Sequence, residues 1–234
     1  MKTKHLFFDL DRTLWDFDKN SKQALIMLFD AHNLSHVIKD FDDFHAVYKN
    51  YNSQLWKAYG NGAINKAFLR TERFRITMAH FSISDPEIIK GFSDGYIDLS
   101  PKQTHLFPGT IETLRELKQA SYNMHIITNG FKEVQYTKLD NCGLTSFFDV
   151  IICSEEVGQN KPSCGIFKHA MKLAGAQPVE SVMIGDDLEV DIIGALNAGM
   201  YGIHFDPESK KYTSSTESVQ NLTELPKILP FIFK

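Results

Sequence analysis

The sequence predicts an α/β fold, with a parallel sheet and an α-helical segment inserted after the first strand. Short apolar runs that end in polar residues alternate with amphipathic stretches of helical length, which is typical of parallel βαβ units. The apolar runs are nearly continuous, as expected for strands that are covered on both faces. Between residue 16 and about residue 100 this alternation stops, and helical patterns follow one another without a clear strand.

Five segments have the strand pattern, and three later segments have the helix pattern. The predicted strands lie at residues 5–11, 123–130, 148–156, 181–187 and 201–206. The predicted helices lie at residues 111–120, 165–176 and 191–199. In the first of these helices Ile111, Leu114 and Leu117 recur at the spacing of one helix face. The other two helices each carry a glycine near the C-terminal end, where glycine commonly ends a helix.

The segment between the first and second predicted strands contains only helical patterns. We predict helices at residues 20–32, 42–60, 65–81 and 85–99. Because the first strand precedes this segment and the other strands follow it, the sheet must be interrupted in sequence. We therefore predict an α/β core domain formed by residues 1–15 and 101–234, and a helical cap domain formed by residues 16–100.

Composition and charge narrow the class of protein. Of the 234 residues 43% are hydrophobic and 23% are charged, which is typical of globular proteins. The net charge of -4 argues against a broad basic surface for a nucleic acid polymer or an anionic membrane, and no apolar stretch approaches the ~20 residues of a membrane span. Three cysteines without a CxxC pair favour a reducing, cytoplasmic location. We expect a monomer or a homodimer.

Polar residues lie where the predicted strands end, or shortly after. They are Asp9, Asp11, Thr128, Asn129, Lys161, Asp186 and Asp187. Each has an ordinary explanation by itself, as a turn residue, a helix cap or a solvated lysine. In open α/β sheets, however, ligands bind beyond the carboxyl ends of the strands. The joint position of these residues therefore predicts a single site.

The chemistry of such a site follows from its carboxylates. Neighbouring carboxylates repel each other unless a cation compensates them, and Mg²⁺ prefers oxygen ligands and retains phosphate oxygens. A carboxylate can act as a nucleophile that becomes phosphorylated, and a second acid can transfer protons to and from the reacting oxygens. We therefore interpret Asp9 as the attacking group and Asp11 as the group that moves protons, with a small phosphate ester as substrate.

Four segments resemble the motifs of the haloacid dehalogenase superfamily of phosphohydrolases, in the order of that family. They are DLDRT (residues 9–13), ITN (127–129), the lysine of NKP (160–162) and GDDLEVD (185–191). The inserted segment is similar to the helical type-one cap of the family. One position departs from the motif, because Arg12 stands where many members have glycine; we interpret it as a solvated or ion-paired side chain. The resemblance implies a Rossmann-like core.

A closer resemblance points to one branch of this superfamily. Residues 7–18, 126–131 and 153–162 resemble the pyrimidine 5'-nucleotidases that act on noncanonical nucleoside monophosphates. This likeness implies a Mg²⁺-dependent nucleoside 5'-monophosphate phosphatase that forms an aspartyl-phosphate intermediate. A sugar-phosphate phosphatase and a phosphomutase remain open as alternatives.

Two further alternatives agree less well with the residues. A haloacid dehalogenase has no leaving alcohol to protonate, so it would not need Asp11. A phospho-accepting receiver protein is far shorter, and its lysine comes last along the chain, whereas Lys161 precedes Asp186 here.

The resemblance also implies roles for individual residues. Asp9 would be the nucleophile and a magnesium ligand, and Asp11 would be the general acid and base, with its backbone carbonyl on the metal. Thr128 and the backbone around Asn129 would hold the phosphoryl oxygens, and Lys161 would neutralise their charge.

Three aspartates complete the implied site. Asp186 would bind Mg²⁺ directly. Asp187 and Asp191 would act through water or orient Lys161.

Overall fold

The chain folds into two compact units in a computed structural model that describes residues 4–209 and 217–233. The first unit, here the α/β unit, comprises Met1–Phe17 and Thr104–Lys234. The second, here the helical unit, comprises Asp18–Gln103. The predicted fold class is confirmed, because a parallel sheet with surrounding helices is interrupted in sequence by an all-helical segment.

The α/β unit contains a six-stranded sheet in the order β3-β2-β1-β4-β5-β6. The strands are β1 (His5–Phe8), β2 (Asn123–Thr128), β3 (Val150–Cys153), β4 (Ser181–Gly185), β5 (Tyr201–Phe205) and β6 (Glu217–Val219). All neighbouring strands are parallel. The five predicted strands are present, and β6 was not predicted. This edge strand has only three residues, and two of them, Glu217 and Ser218, are exposed, so that it lacks an apolar pattern.

The described residues form helices of very different lengths. They are α1 (Phe17–Ala31), α2 (Phe41–Gly60), α3 (Lys66–His80), α4 (Pro86–Leu99), α5 (Thr110–Gln119), α6 (Lys132–Asn141), α7 (Ser154–Val157), α8 (Cys164–Ala174), α9 (Gly194–Asn197) and α10 (Leu225–Ile232). A π-helical segment, Leu188–Ile193, leads into α9, where the sequence predicted one regular helix over residues 191–199. Among residues 4–209 and 217–233, none of the helices combines the length and the apolarity that crossing a membrane requires.

Apolar layers cover both faces of the sheet. Phe8 and Ile184 belong to one buried cluster, which also contains Leu114 of α5. Phe7 belongs to the cluster on the other face, together with Ile166 of α8. Full burial of a large apolar side chain contributes about 1.5–3 kcal/mol. This two-sided burial explains why the strands are almost continuously apolar in sequence.

The helical unit has an aromatic core of its own. Phe44 and Tyr48 of α2 lie on one helix face and are buried with Phe74 of α3 and Phe92 of α4. Tyr48 and Phe74 stack with ring centroids 5.4 Å apart. These residues therefore stabilise the unit through packing, as their helical spacing predicts.

Candidate active site

The parallel register brings the residues that follow the strands to one edge of the sheet. Phe8, the last residue of β1, is level with Ile126 of β2 and Ile184 of β4. The amide of Asp9 continues this ladder and donates to the carbonyl of Ile184 at 2.9 Å. A backbone hydrogen bond therefore fixes the position of Asp9 at the edge of the sheet. Asp9 is also buried.

Lys161 is the centre of the buried charges at this edge. Its Nζ lies 2.6 Å from Oδ1 of Asp9 and 2.6 Å from Oδ1 of Asp191, and it donates to the carbonyl of Ile127 at 2.8 Å. An ammonium group has three donors, and these contacts use all of them. The side chain is 2% exposed, so its charge is confined to this position.

The pKa values of the site residues indicate that negative charge exceeds positive charge at this edge of the sheet. Burial by itself lowers the pKa of Lys161, but Asp191 and Asp9 outweigh burial and hold that pKa above its ordinary value. Burial raises the pKa of Asp9 to about 7, against the opposing effect of Lys161. Burial, with the charges of Asp9 and Asp191, raises the pKa of Asp186 to about 8. One ammonium group therefore does not balance the carboxylates that surround it.

The carboxylates are close enough to share a cation. Asp9, Asp186 and Asp191 each offer an oxygen within 4.8 Å of the others. Both oxygens of Asp191 already have partners, since Oδ1 contacts Lys161 and Oδ2 accepts from the amide of Asp187 at 3.2 Å. Asp9 and Asp186 are thus the better candidates for direct metal ligands. The hard oxygen donors and the excess of negative charge fit Mg²⁺.

Asp187 and Asp191 have different structural roles. Oδ1 of Asp187 accepts from the amides of Glu189 and Val190 at 3.0 and 2.9 Å, so Asp187 caps the π-helical segment. That segment carries Asp191 to Lys161, and a Cβ at Gly185 would collide with the carboxyl group of Asp191. Of the two, Asp191 therefore contacts Lys161 directly.

Thr128 is the last residue of β2, and Asn129 follows it beside Lys161. Oγ1 of Thr128 accepts from the amide of Gly130 at 3.1 Å and from Nε2 of Gln135 at 2.6 Å. The side chain of Asn129 donates to the carbonyl of Lys161 at 3.0 Å and accepts from its amide at 2.8 Å. The Asn129 side chain thus fixes the backbone of Lys161, and the role of Thr128 and Asn129 in holding phosphoryl oxygens stays a prediction.

Asp11 lies against two side chains of α6 that were not predicted from the sequence to belong to the site. Nζ of Lys138 is 2.5 Å from Oδ1 of Asp11, and Nε2 of Gln135 donates to Oδ2 at 2.9 Å. Gln135, Lys138 and the apolar residues Phe131 and Leu139 are all buried. The signal that could have found them is their spacing, because the two polar residues occupy positions of a buried helical stripe.

Arg12 adopts a backbone conformation that explains the common glycine at this position. Its φ angle is 66°, in the left-handed region that favours glycine. Its guanidinium carbon lies 4.3 Å from the centre of the Phe17 ring, in a cation–π contact. Arg12 is exposed. Its positive charge lowers the pKa of Asp186, but burial and the charges of Asp9 and Asp191 raise that pKa by more.

Comparison with known proteins identifies the family of this chain. Residues 3–199 match the family described as haloacid dehalogenase-like hydrolase. The chain is 32% identical to the pyrimidine 5'-nucleotidase YjjG of Escherichia coli over 98% of its own length and 99% of that protein. It is 30% identical to the ribulose-1,5-bisphosphate 5-phosphatase of Halopiger xanaduensis, over 91% of this chain and 88% of that one. The chain therefore belongs to the haloacid dehalogenase-like hydrolases, and the predicted resemblance to this superfamily is confirmed.

A solved structure shows the same fold. The HAD-hydrolase YfnB from Bacillus subtilis, bound to magnesium, is similar with a TM-score of 0.87 and 28% sequence identity, over 98% of this chain and 100% of that one. This similarity confirms the predicted Rossmann-like core with a helical insertion.

Proposed function

We propose that this hydrolase is a Mg²⁺-dependent phosphomonoesterase that acts through an aspartyl-phosphate, with nucleoside 5'-monophosphates as its substrate class. The observation that carries the proposal is the buried carboxylate of Asp9, which lies at the sheet edge in contact with Lys161 and near Asp186. The similarity to the pyrimidine 5'-nucleotidase YjjG supports the substrate class.

The carboxylates define where a metal would bind. Asp9 and Asp186 would hold Mg²⁺, with the backbone carbonyl of Asp11 as a further ligand. When bound, the ion would neutralise the carboxylates and the negative charge of the phosphoryl group. Asp191 would remain with Lys161, because both of its oxygens are engaged.

The first half-reaction transfers the phosphoryl group to Asp9. Oδ1 of Asp9 is paired with Lys161 and keeps a second lone pair with which it would hold the metal, so Oδ2 is the oxygen that attacks phosphorus. The bond from phosphorus to the ester oxygen breaks as the new bond forms, and Asp11 donates a proton to the departing oxygen. Lys161 and the Thr128 hydroxyl stabilise the charge on the phosphoryl oxygens.

The second half-reaction returns the enzyme to its starting state. Asp11, now ionised, accepts a proton from water as the water oxygen attacks phosphorus. The bond between phosphorus and Asp9 breaks, inorganic phosphate leaves, and the Asp9 carboxylate is restored. One carboxyl group thus acts as acid and then as base.

A sugar-phosphate phosphatase is the second candidate. The similarity to the Halopiger xanaduensis phosphatase, whose substrate is a sugar bisphosphate, favours it. The chemistry at Asp9 would be the same, and only the leaving alcohol would differ.

Phosphate release from a panel of esters tests both candidates. The purified protein is incubated with Mg²⁺ and with pyrimidine monophosphates, purine monophosphates or sugar phosphates, and free phosphate is measured. We expect pyrimidine nucleoside monophosphates to give the highest kcat/KM, and release to stop when a chelator removes Mg²⁺. Preference for sugar phosphates would support the second candidate instead.

The variant Asp9→Asn tests the nucleophile. An amide cannot replace the attacking carboxylate, so we expect phosphate release to fall by at least about a thousandfold while the thermal unfolding transition remains. Asp140→Asn, which changes an exposed aspartate of α6, is the matched control and should keep wild-type activity. Wild-type turnover by Asp9→Asn would refute the proposed mechanism.

A further inference from the structure

Lys138 carries a buried ammonium group that contacts the carboxyl group of one residue, Asp11. Its side chain is 4% exposed, and its Nζ lies 2.5 Å from Oδ1 of Asp11. The same Nζ lies 4.1 Å from the centre of the Trp15 ring, and Trp15 is fully buried. Burial of an ammonium group is costly unless a carboxylate or an aromatic face compensates it. Both are present, so this lysine is held in a defined position beside Asp11.

Gln135 lies one helical turn before Lys138 and contacts two site residues at once. Its Nε2 donates to Oδ2 of Asp11 at 2.9 Å and to Oγ1 of Thr128 at 2.6 Å. The amide group at Nε2 has two hydrogens, one for each of these two acceptors. A Cβ at Gly130 would collide with the Gln135 side chain, so the glycine provides the space for this contact.

This contact also determines what the Thr128 hydroxyl can do. The oxygen accepts from the amide of Gly130 and from Gln135. A hydroxyl oxygen has two lone pairs and one hydrogen. Because both lone pairs already receive donors, the hydrogen is the part of the group that can contact a phosphoryl oxygen. Gln135 therefore orients Thr128 as a donor.

We propose that Lys138 and Gln135 are positioning residues for phosphoryl transfer. Lys138 and Gln135 each hold one oxygen of the Asp11 carboxyl group, and Gln135 joins Asp11 to Thr128. The group that protonates the leaving oxygen is thereby held in a fixed geometry relative to the group that contacts the phosphoryl oxygens. This inference rests on the proposed function, since it assigns Asp11 and Thr128 those roles.

The dependence of the rate on the leaving group tests this role. Lys138→Met removes the ammonium group and retains much of the side-chain volume. Protonation by Asp11 matters for an alkoxide leaving group and little for the stable phenolate of para-nitrophenyl phosphate. We expect kcat/KM, which reports the steps up to cleavage of the ester bond, to fall about a hundredfold for the best nucleoside monophosphate and less than tenfold for para-nitrophenyl phosphate.

A second variant and a control complete the experiment. Gln135→Leu should show the same difference between the two esters, and it tests the proposal if Lys138→Met does not fold. Lys118→Met is the matched control. Like Lys138, this lysine of α5 has a hydrogen bond, to Ser146, and a contact with an aromatic ring, that of Phe147. Because Lys118 is exposed and does not contact Asp11, its replacement should leave both kcat/KM values unchanged.

The outcomes separate this inference from the proposed function. Equal losses for both esters, or no loss in either variant, would overturn the positioning role while the proposed function stands. A wild-type protein that hydrolyses neither ester would overturn the proposed function and this inference with it.

Discussion

Strands β1 and β2 carry buried polar groups at both ends, and the two ends differ in charge. At the carboxyl end, Lys161 contacts Asp9 and Asp191, and these carboxylates hold the pKa of Lys161 above its ordinary value in spite of burial. In the amino half, Nδ1 of His5, the first residue of β1, and Nε2 of His125, the third residue of β2, lie 3.0 Å apart, and the two rings stack. Burial, with a further contribution from His5, lowers the pKa of His125 to about 4, and burial also lowers the pKa of His5, so this pair is neutral at pH 7.

The difference teaches that burial alone does not decide whether a polar group is charged. Lys161 and His125 are both almost fully buried. Lys161 has two carboxylates within hydrogen-bonding distance, whereas His125 is paired with another imidazole. The carboxylates in contact with Lys161 compensate the desolvation of its charge. His125 avoids the cost of desolvation because it stays neutral. The chemistry of the site therefore depends on the carboxyl end of the strands.

Replacing Lys161, the buried ammonium group at the carboxyl end of the strands, should have the largest effect on stability. Lys161→Met leaves Asp9 and Asp191 buried without their partner. We expect the free energy of unfolding, measured with urea at pH 7 without added metal, to fall by about 3–5 kcal/mol. Phosphate release should be lost as well. Lys172→Met, at an exposed position of α8, should change stability by less than about 0.5 kcal/mol. Equal stability of the two variants would contradict the comparison.

The neutral pair of His5 and His125 should make the free energy of unfolding fall at acidic pH. The unfolded state binds a proton at His125 below about pH 6.5, whereas the folded state does so only near pH 4. Stability is therefore complete above pH 6.5 and falls as the pH drops towards 4, by about 3 kcal/mol. His125→Leu should remove this contribution from the urea unfolding free energy measured between pH 8 and pH 4.

The control for this prediction is an exposed histidine. His169→Leu, on the surface of α8, should retain the wild-type dependence on pH. The same slope in His125→Leu and in the wild type would show that the pair at the amino end is not the cause.

The smallest effect concerns the backbone that follows Asp11. Arg12→Gly and Arg12→Ala both lose the contact with the Phe17 ring, but only glycine relieves the left-handed conformation. The glycine variant should therefore unfold with a free energy about 1 kcal/mol higher than the alanine variant. Urea unfolding of the two proteins measures this difference. A more stable alanine variant would mean that position 12 carries no strain at this edge.

Part of the site followed directly from the order of residues in the chain. Asp9, Thr128 and Asp186 each follow or end an apolar run, and parallel pairing brings the ends of such runs to one edge. The different roles of Asp187 and Asp191 did not follow in this way. Both are acids after the same strand, and only the path of the π-helical segment makes one a helix cap and the other a partner of Lys161.

The sequence by itself determined the alternation of strands and helices, the helical insertion and the acids at the strand ends, because local periodicity and turn residues record these features. The tertiary structure alone decided which buried groups meet. Lys138 and Asp11 are 127 positions apart, and His5 and His125 are 120 apart. A lysine or a histidine has the same appearance in sequence whether it is solvated or buried. Its partner, and with it its charge and orientation, is determined only when distant segments pack together.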